Sequence, residues 1–180
     1  MTGAITPSMP VENLAALVCT TLERHGIEAV LTGGAAVSIY TANAYQSYDL
    51  DFVVRGLAKN VTAAMESLGF KRRAGRHFEH PRTRYYVEFP SGPLAIGNEP
   101  VVRIGTRRTP TGILRLLTPT DCVMDRLAAF YHWNDAQGLD QAVAVGRRHR
   151  VDVSRIRRWS RREGMTPKFA IFERRMKGPR

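Results

Sequence analysis

The fold of this chain is decided by residues 30–54, VLTGGAAVSIYTANAYQSYDLDFVV. An apolar run ends in Gly33 and Gly34, a short helical segment follows, and Asp49 and Asp51 then alternate with apolar residues. Residues two apart on a strand point to the same face of a sheet. The alternation therefore predicts a strand that presents two carboxylates at one point.

A second acidic strand is predicted at residues 84–89, where Glu88 stands among apolar residues. If this strand lies beside Asp49 and Asp51, three carboxylates meet at one place. Hard oxygen ligands of this kind suit Mg²⁺ or Mn²⁺. Such ions can orient an attacking oxygen and neutralise the charge of a nucleoside triphosphate. The alternative is a solvent-facing edge strand whose acids bind nothing.

The glycine turn adds a possible phosphate site to the carboxylates. Backbone N–H groups at Gly33 and Gly34, together with the N-terminus of the following helix, suit a phosphate group. Ser38 lies one turn later and would add a hydroxyl, although it fits an ordinary helix serine equally well.

Composition indicates one domain, or one domain with a small appendage, and a sizeable core. The chain has 180 residues, of which 43% are hydrophobic. We find no apolar run long enough for a membrane span, and the first ten residues, MTGAITPSMP, lack the features of a secretory signal. We therefore expect a cytoplasmic protein with no membrane partner, in which Cys19 and Cys122 are buried free thiols.

The positive charge is concentrated near the C-terminus. Residues 144–180 contain thirteen Lys or Arg residues and three acidic residues, whereas residues 1–143 are almost balanced. This asymmetry favours a polyanionic partner, most simply a nucleic acid. A solvated helix face or a docking surface for an acidic protein would have the same composition. A second basic cluster, for which we expect a triphosphate or RNA contact or a solvated face, consists of Lys71, Arg72, Arg73, Arg76, Arg82 and Arg84.

Periodicity and turn residues predict the order of the elements. The predicted helices cover residues 11–25, 35–40, 58–68, 119–133, 136–148 and 153–162, and residues 167–177 form either a short basic helix or a tail. The predicted strands cover residues 27–31, 48–54, 70–73, 84–89, 101–104 and 113–117. The fold class is therefore α/β (α+β), with a small mixed sheet in residues 1–117 and a helical, basic region in residues 118–180 packed on it.

Several remaining residues have ordinary structural interpretations. Residues 74–83, AGRHFEHPRT, read as a strand edge and a turn, with His77 and His80 on the turn. Residues 90–100 are rich in Gly and Pro and predict a loop. Trp133 and Trp159 fall at helical spacing with apolar neighbours, so we expect both to be packing residues.

This combination of motifs resembles the nucleotidyltransferase superfamily, which has the fold of DNA polymerase β. The family pattern is a Gly-Gly or Gly-Ser turn, a D-x-D strand and a third acid on a neighbouring strand. The matching residues are Gly33-Gly34, Asp49-Leu50-Asp51 and Glu88. The sequence around these motifs most resembles the minimal bacterial nucleotidyltransferases of toxin–antitoxin and abortive-infection systems. The resemblance implies that the three acids bind metal and are catalytic, and that residues 1–117 form the nucleotidyltransferase core.

The resemblance extends into the C-terminal region, where TPTD at residues 118–121 matches a helix start of these relatives. Arg126 and Asp140 occupy places similar to a basic residue and an aspartate of the family. The resemblance implies that both bind the nucleotide, together with Gly33, Gly34 and Ser38. The chain departs from the pattern in three ways: its turn lacks a serine, Glu88 replaces the commoner aspartate, and Tyr45 stands where relatives often have arginine.

Two classes of function follow, and one structural alternative. The first is a metal-dependent nucleotidyltransferase that moves a nucleoside monophosphate from an NTP to RNA, such as a tRNA 3′ end, or to a hydroxyl of a cognate toxin or antitoxin protein. The second is a catalytically inactive binding protein of the same fold, acting as an antitoxin or as a nucleic-acid-binding module. The third is a structural α/β protein whose acids are incidental.

Overall fold

A computed structural model describes residues 4–55 and 60–178 of the chain. The helices are α1 (Val11–Arg24), α2 (Gly33–Tyr40), α3 (Val61–Ser67), α4 (Pro119–Trp133), α5 (Ala136–Arg148), α6 (Val153–Arg162) and α7 (Thr166–Lys177). The strands are β1 (Glu28–Leu31), β2 (Asp49–Arg55), β3 (Lys71–Arg72), β4 (His77–Glu79), β5 (Tyr86–Glu88), β6 (Ala95–Ile96), β7 (Glu99–Pro100), β8 (Ile104–Thr109) and β9 (Gly112–Leu117).

Seven of these strands form one mixed sheet in the order β3-β4-β5-β2-β1-β9-β8. β2 pairs with β5 in parallel and β1 pairs with β9 in parallel, whereas the other neighbours are antiparallel. β6 and β7 form a separate two-stranded hairpin. The predicted α/β class with a small mixed sheet is therefore confirmed.

The sheet is anchored on one face by α1. Pro10 precedes the first turn, where its missing N–H and fixed φ are favourable, and Gly26 follows the helix with a φ of +74°. Leu14 and Leu22 lie on the apolar side of α1 and are fully buried. The helix packs on β1 and β9, so it holds the strand that leads into the glycine turn.

The C-terminal helices pack through aromatic side chains that belong to the same hydrophobic core as the sheet and α1. Trp159 of α6 is fully buried, and its ring stacks on that of Tyr131 with 5.4 Å between centroids. Residues 167–177, left open between a helix and a tail, lie in α7, whose Phe172 is fully buried. The division of the chain into two domains at residue 117 stays a prediction. Within the described residues, no helix has an apolar stretch sufficient to cross a bilayer.

Four sequence predictions about the elements are wrong. The strand expected at residues 101–104 is found at Ile104–Thr109, where it pairs with β9. Val101 is buried in a loop instead. The Gly- and Pro-rich loop holds the β6–β7 hairpin. The turn expected around His77 is strand β4, paired on both edges. Trp133, expected to be a packing residue, is 76% exposed. The prediction is wrong because helical spacing alone does not show which side of α4 faces solvent.

Most other element predictions hold within a few residues, including α1, α2, β2 and α4–α6. The predicted start of the third helix, at Ala58, lies outside the described residues. The two cysteines are confirmed as buried free thiols.

Candidate active site

Three predicted carboxylates converge where β2 and β5 run side by side. The parallel register places Asp49 opposite Tyr86 and Asp51 opposite Glu88. One carboxylate oxygen from each of Asp49, Asp51 and Glu88 lies within 4.8 Å of the others. Residues on the other face of β2, such as Leu50, are fully buried and hold the strand in the core. The alternation of the sequence thus produces a half-buried acidic cluster on one face of the sheet.

The carboxylates destabilise one another's charged forms. Burial, followed by the charges of Asp49 and Glu88, raises the pKa of Asp51 to about 7. Burial and the charge of Glu88 also raise the pKa of Asp49. The Oδ1 atom of Asp49 is buried and has no hydrogen-bond partner among the described residues. The cluster therefore has negative charge and acceptor capacity that His77 and Arg126 compensate only in part.

These observations fit a divalent cation held by Asp49, Asp51 and Glu88. Carboxylate oxygens are the preferred ligands of Mg²⁺ and Mn²⁺. The unpartnered Asp49 Oδ1 atom and the mutual repulsion of the acids both indicate a site that a cation would stabilise.

The glycine turn lies directly against this cluster. Gly33 has a φ of +65°, and a Cβ atom at this position would lie 2.6 Å from Asp51 Oδ2. The N–H of Thr32 donates to the Asp51 carbonyl at 2.9 Å, which ties the turn to β2. A Cβ atom at Gly34 would lie 3.1 Å from the Ser47 side chain. The N-terminus of α2, whose free N–H groups favour anions, is therefore next to the carboxylates.

His77 also belongs to the site, although the sequence interpretation placed it on a turn. It lies on β4 opposite Glu88, and its Nδ1 atom is 2.8 Å from Glu88 Oε1. Its Nε2 atom is 3.2 Å from Glu79 Oε1. The hydrogen bond to Glu88 is the main cause that raises the pKa of His77. The polar–apolar–polar order of residues 77–79 was the signal for a strand, but three residues are too few to establish the alternation.

Two solved structures share this fold. The first is an antigenic nucleotidyltransferase-like protein from Paracoccidioides brasiliensis, with a TM-score of 0.58, 14% identity, and coverage of 78% of this chain and 77% of that protein. The second is the solution structure of the antibiotic-resistance factor ANT(2″)-Ia, with a TM-score of 0.51, 11% identity, and coverage of 91% of this chain and 95% of that protein.

The chain has a nucleotidyltransferase-like fold. No protein-family model and no curated protein matches its sequence. At these identities the likeness concerns the fold, and the closer resemblance to toxin–antitoxin proteins stays a prediction.

Within this nucleotidyltransferase-like fold, Ser38 is bonded to the backbone around it. It is fully buried, and its Oγ atom lies 2.7 Å from the Tyr45 carbonyl and 3.1 Å from the Gly34 carbonyl. The same oxygen accepts the N–H of Ser47 at 2.9 Å. These bonds give the hydroxyl a role in holding residues 41–47 beside the glycine turn. The expected phosphate contact of Ser38 stays a prediction.

Arg126 is placed close to the acidic cluster. Its Nη2 atom is 2.5 Å from Asp125 Oδ2, and its positive charge lowers the pKa of both Asp49 and Asp51. This position is compatible with a contact to an anionic nucleotide, and the contact itself stays a prediction.

Asp140 is not among the converging carboxylates. Its Oδ1 atom is 2.6 Å from Arg175 Nη1, and it lines a cavity of about 750 Å³ together with Tyr45, Arg147 and Arg148. The structure therefore separates Asp140 from the three converging carboxylates, and its expected contact with the nucleotide stays a prediction.

Proposed function

We propose that this chain is a metal-dependent nucleotidyltransferase that moves a nucleoside monophosphate from an NTP to a hydroxyl of RNA. The observation that carries the proposal is the convergence of Asp49, Asp51 and Glu88 beside Gly33, with a buried oxygen on Asp49 that has no hydrogen-bond partner among the described residues. A nucleotidyltransferase-like fold supports the same chemistry.

The residues of the site have distinct parts in this proposal. The acceptor hydroxyl oxygen forms a bond to the α-phosphorus, the bond from that phosphorus to the β-phosphate oxygen breaks, and pyrophosphate leaves. Mg²⁺ or Mn²⁺ bound by the acids would neutralise phosphate charge and align the reacting oxygens. Asp51 and Glu88 orient the acceptor hydroxyl, and one carboxylate of this pair receives its proton. The N–H groups at Gly33 and Gly34 hold the triphosphate.

RNA is the acceptor that the arginines favour. Some basic residues of the C-terminal helices stabilise the fold, as Arg155 does by pairing with Asp121 at 2.7 Å. Others are exposed and have no carboxylate partner among the described residues, namely Arg148, Arg150, Arg158, Arg161 and Arg174. Exposed, uncompensated arginines suit the phosphates of a nucleic acid such as a tRNA 3′ end. A hydroxyl of a partner protein is the competing acceptor.

The biological setting that we propose is a toxin–antitoxin or phage-defence system in the cytoplasm. The sequence resemblance is the basis for the system. The cytoplasm contains NTP, and its reducing conditions are compatible with the free thiols of Cys19 and Cys122.

A catalytically inactive binding protein is the second candidate, and two observations favour it. Tyr45 stands where relatives often have an arginine. The Ser38 hydroxyl is occupied by the backbone of residues 45 and 47. Under this alternative the fold would bind a nucleic acid or a cognate toxin without transferring a nucleotide.

The decisive experiment offers the purified chain each α-³²P-labelled NTP with Mg²⁺ and total RNA. We expect label on RNA from the wild-type chain and none from the Asp49→Asn/Asp51→Asn variant. Glu28→Gln, which changes an exposed acid paired with Arg55, is the control and should retain transfer. Label on protein alone would contradict the RNA acceptor. Absence of any product, with RNA still bound, would favour the inactive binding protein.

Phosphate binding by the exposed arginines can be tested separately. RNA affinity of the wild-type chain should fall steeply as salt rises, because each phosphate contact releases counterions. The Arg158→Ala/Arg161→Ala variant should have a shallower salt dependence. Equal affinity at low and high salt would contradict a phosphate-binding role for these helices.

A further inference from the structure

A chain of polar contacts runs from Arg73, just after β3, across β4 and ends at Glu88 of the acidic cluster on β5. Arg73 Nε lies 2.8 Å from Glu79 Oε2, and Glu79 Oε1 lies 3.2 Å from His77 Nε2. His77 Nδ1 then lies 2.8 Å from Glu88 Oε1. The register of β4 and β5 places His77 directly opposite Glu88. The histidine is therefore held from both sides, with one ring nitrogen on the candidate metal ligand.

The length of the Glu88 side chain explains why a contact that orients it would matter. Asp49 and Asp51 have short side chains on one strand, whereas Glu88 has an additional methylene group and one more rotatable bond. A longer ligand has more orientations to lose when it binds a cation. The bond from His77 selects one of these orientations, so that a carboxylate oxygen of Glu88 lies within 4.8 Å of the aspartate oxygens.

The surroundings of His77 restrict its own ring. The His77 and Tyr86 rings are 4.7 Å apart between centroids, and the imidazole is only partly exposed. Glu79, held by Arg73, occupies the other ring nitrogen. A ring fixed by packing and by two carboxylates can act as a rigid support for a ligand, as residues behind metal ligands commonly do.

From these contacts we infer that His77 is a positioning residue, which holds the Glu88 carboxylate toward Asp49 and Asp51 through its Nδ1–H. The inference rests on the proposed function, because it assigns the held carboxylate to a divalent cation. Glu79 supports His77 in turn, and Arg73 supports Glu79.

The experiment measures Mn²⁺ affinity by electron paramagnetic resonance, which needs neither NTP nor turnover. His77→Ala should weaken Mn²⁺ binding by about tenfold, the lower end of the usual effect of residues behind metal ligands. His77→Asn should stay close to wild type, because its amide nitrogen can replace Nδ1 as a donor. His80→Ala is the matched control, since His80 packs on Phe70 and has no bond to the acidic cluster.

A double-variant comparison separates positioning from a general loss of structure. Glu88→Asp withdraws the carboxylate from His77, so adding His77→Ala to it should weaken Mn²⁺ binding little further. Wild-type affinity in His77→Ala, or equal losses in His77→Ala and His77→Asn, would overturn the inference. So would independent, multiplicative losses in the double variant.

A metal-free measurement distinguishes failure of this inference from failure of the proposed function. The urea midpoints of His77→Ala, Glu88→Asp and the double variant, measured in EDTA, should be non-additive if His77 bonds Glu88. If the wild-type chain binds no Mn²⁺, the proposed function is contradicted, and the urea comparison alone decides whether His77 holds Glu88. Additive midpoints would overturn the positioning role.

Discussion

Gly33 lies so close to Asp51 that a Cβ atom on the glycine would be 2.6 Å from the Asp51 Oδ2 atom. The turn that would hold a triphosphate and the strand that would hold a cation are therefore in direct contact. Glycine is required for two reasons, the close approach and the positive φ of +65°. This contact makes the turn and the acids one structural unit.

The Gly33→Ala variant should lose metal binding and activity, because its methyl group would displace the Asp51 carboxylate. Gly26→Ala is a matched control: Gly26 also has a positive φ, of +74°, but no heavy atom of the described residues beyond its chain neighbours lies within 4 Å of its added Cβ. Both variants should lose roughly 1–2 kcal/mol of stability from backbone strain. Urea denaturation and Mn²⁺ titration measure the two effects. Equal metal affinity in the two variants would contradict the proposed contact.

In the absence of metal, the free energy of unfolding should rise as the pH falls from 8 to 5. The pKa of Asp51 is about 7 in the folded chain, against an ordinary value of 3.8. Above pH 7 the carboxylate is charged in both states. Its burial, followed by repulsion from Asp49 and Glu88, then destabilises the folded state. Between these two pKa values the folded state binds the proton first, so the free energy of unfolding increases as the pH falls.

Asp51→Asn removes this titration. The variant should be more stable than wild type at pH 8 in EDTA by roughly 1–2 kcal/mol, a figure reduced for the partial exposure of the carboxyl group. The difference in stability between the variant and wild type should become smaller toward pH 5. Denaturation in urea at the two pH values checks it, and a variant less stable than wild type at pH 8 would contradict the electrostatic account.

Asp121 should be among the most important residues for stability of the C-terminal region. It is fully buried, caps the start of α4 with Thr118, and pairs with Arg155 at 2.7 Å. Asp121→Ala leaves the guanidinium of Arg155 without its buried partner and should cost roughly 3 kcal/mol. Thermal unfolding measures this loss. The exposed pair of Glu28 with Arg55 is the control, and Glu28→Ala should cost less than about 1 kcal/mol.

Ser38→Ala should act on stability and not on direct phosphate binding. The variant leaves the Ser47 N–H without the acceptor it has at 2.9 Å, which should cost roughly 1–3 kcal/mol. Ser67→Ala removes a hydroxyl that bonds only the Ala64 carbonyl on an exposed part of α3, and it should cost less. If Ser38→Ala were as stable as wild type but had a much higher KM for NTP, the phosphate contact predicted from the sequence would be supported instead.

The main features of the fold and the acidic cluster could be predicted because each depends on a local pattern. Asp49 and Asp51 alternate with buried apolar residues, so the strand and its polar face follow from the sequence. Glu88 is the one acid in an apolar pentapeptide, and only its pairing with β2 had to be assumed. Thr118 and Pro119 mark the start of α4 by ordinary capping chemistry.

The remaining features depend on distant partners that no local pattern reports. His77 lies in a three-residue strand that exists because β3 and β5 pair with it on either side. Ser38 is occupied by residues 45 and 47, which fold back along α2. Asp140 pairs with Arg175 of another helix. In each of these cases the tertiary contact determines the role of the side chain.

The central claim is that the three acids and the glycine turn bind a cation and a nucleotide together. Isothermal titration of the wild-type chain with an α,β-methylene nucleoside triphosphate, in Mn²⁺ and then in EDTA, tests it most directly. We predict binding in Mn²⁺, none in EDTA, and none in either buffer for the Asp49→Asn/Asp51→Asn variant. Equal affinity with and without the metal, or retention of binding by that variant, would contradict the claim.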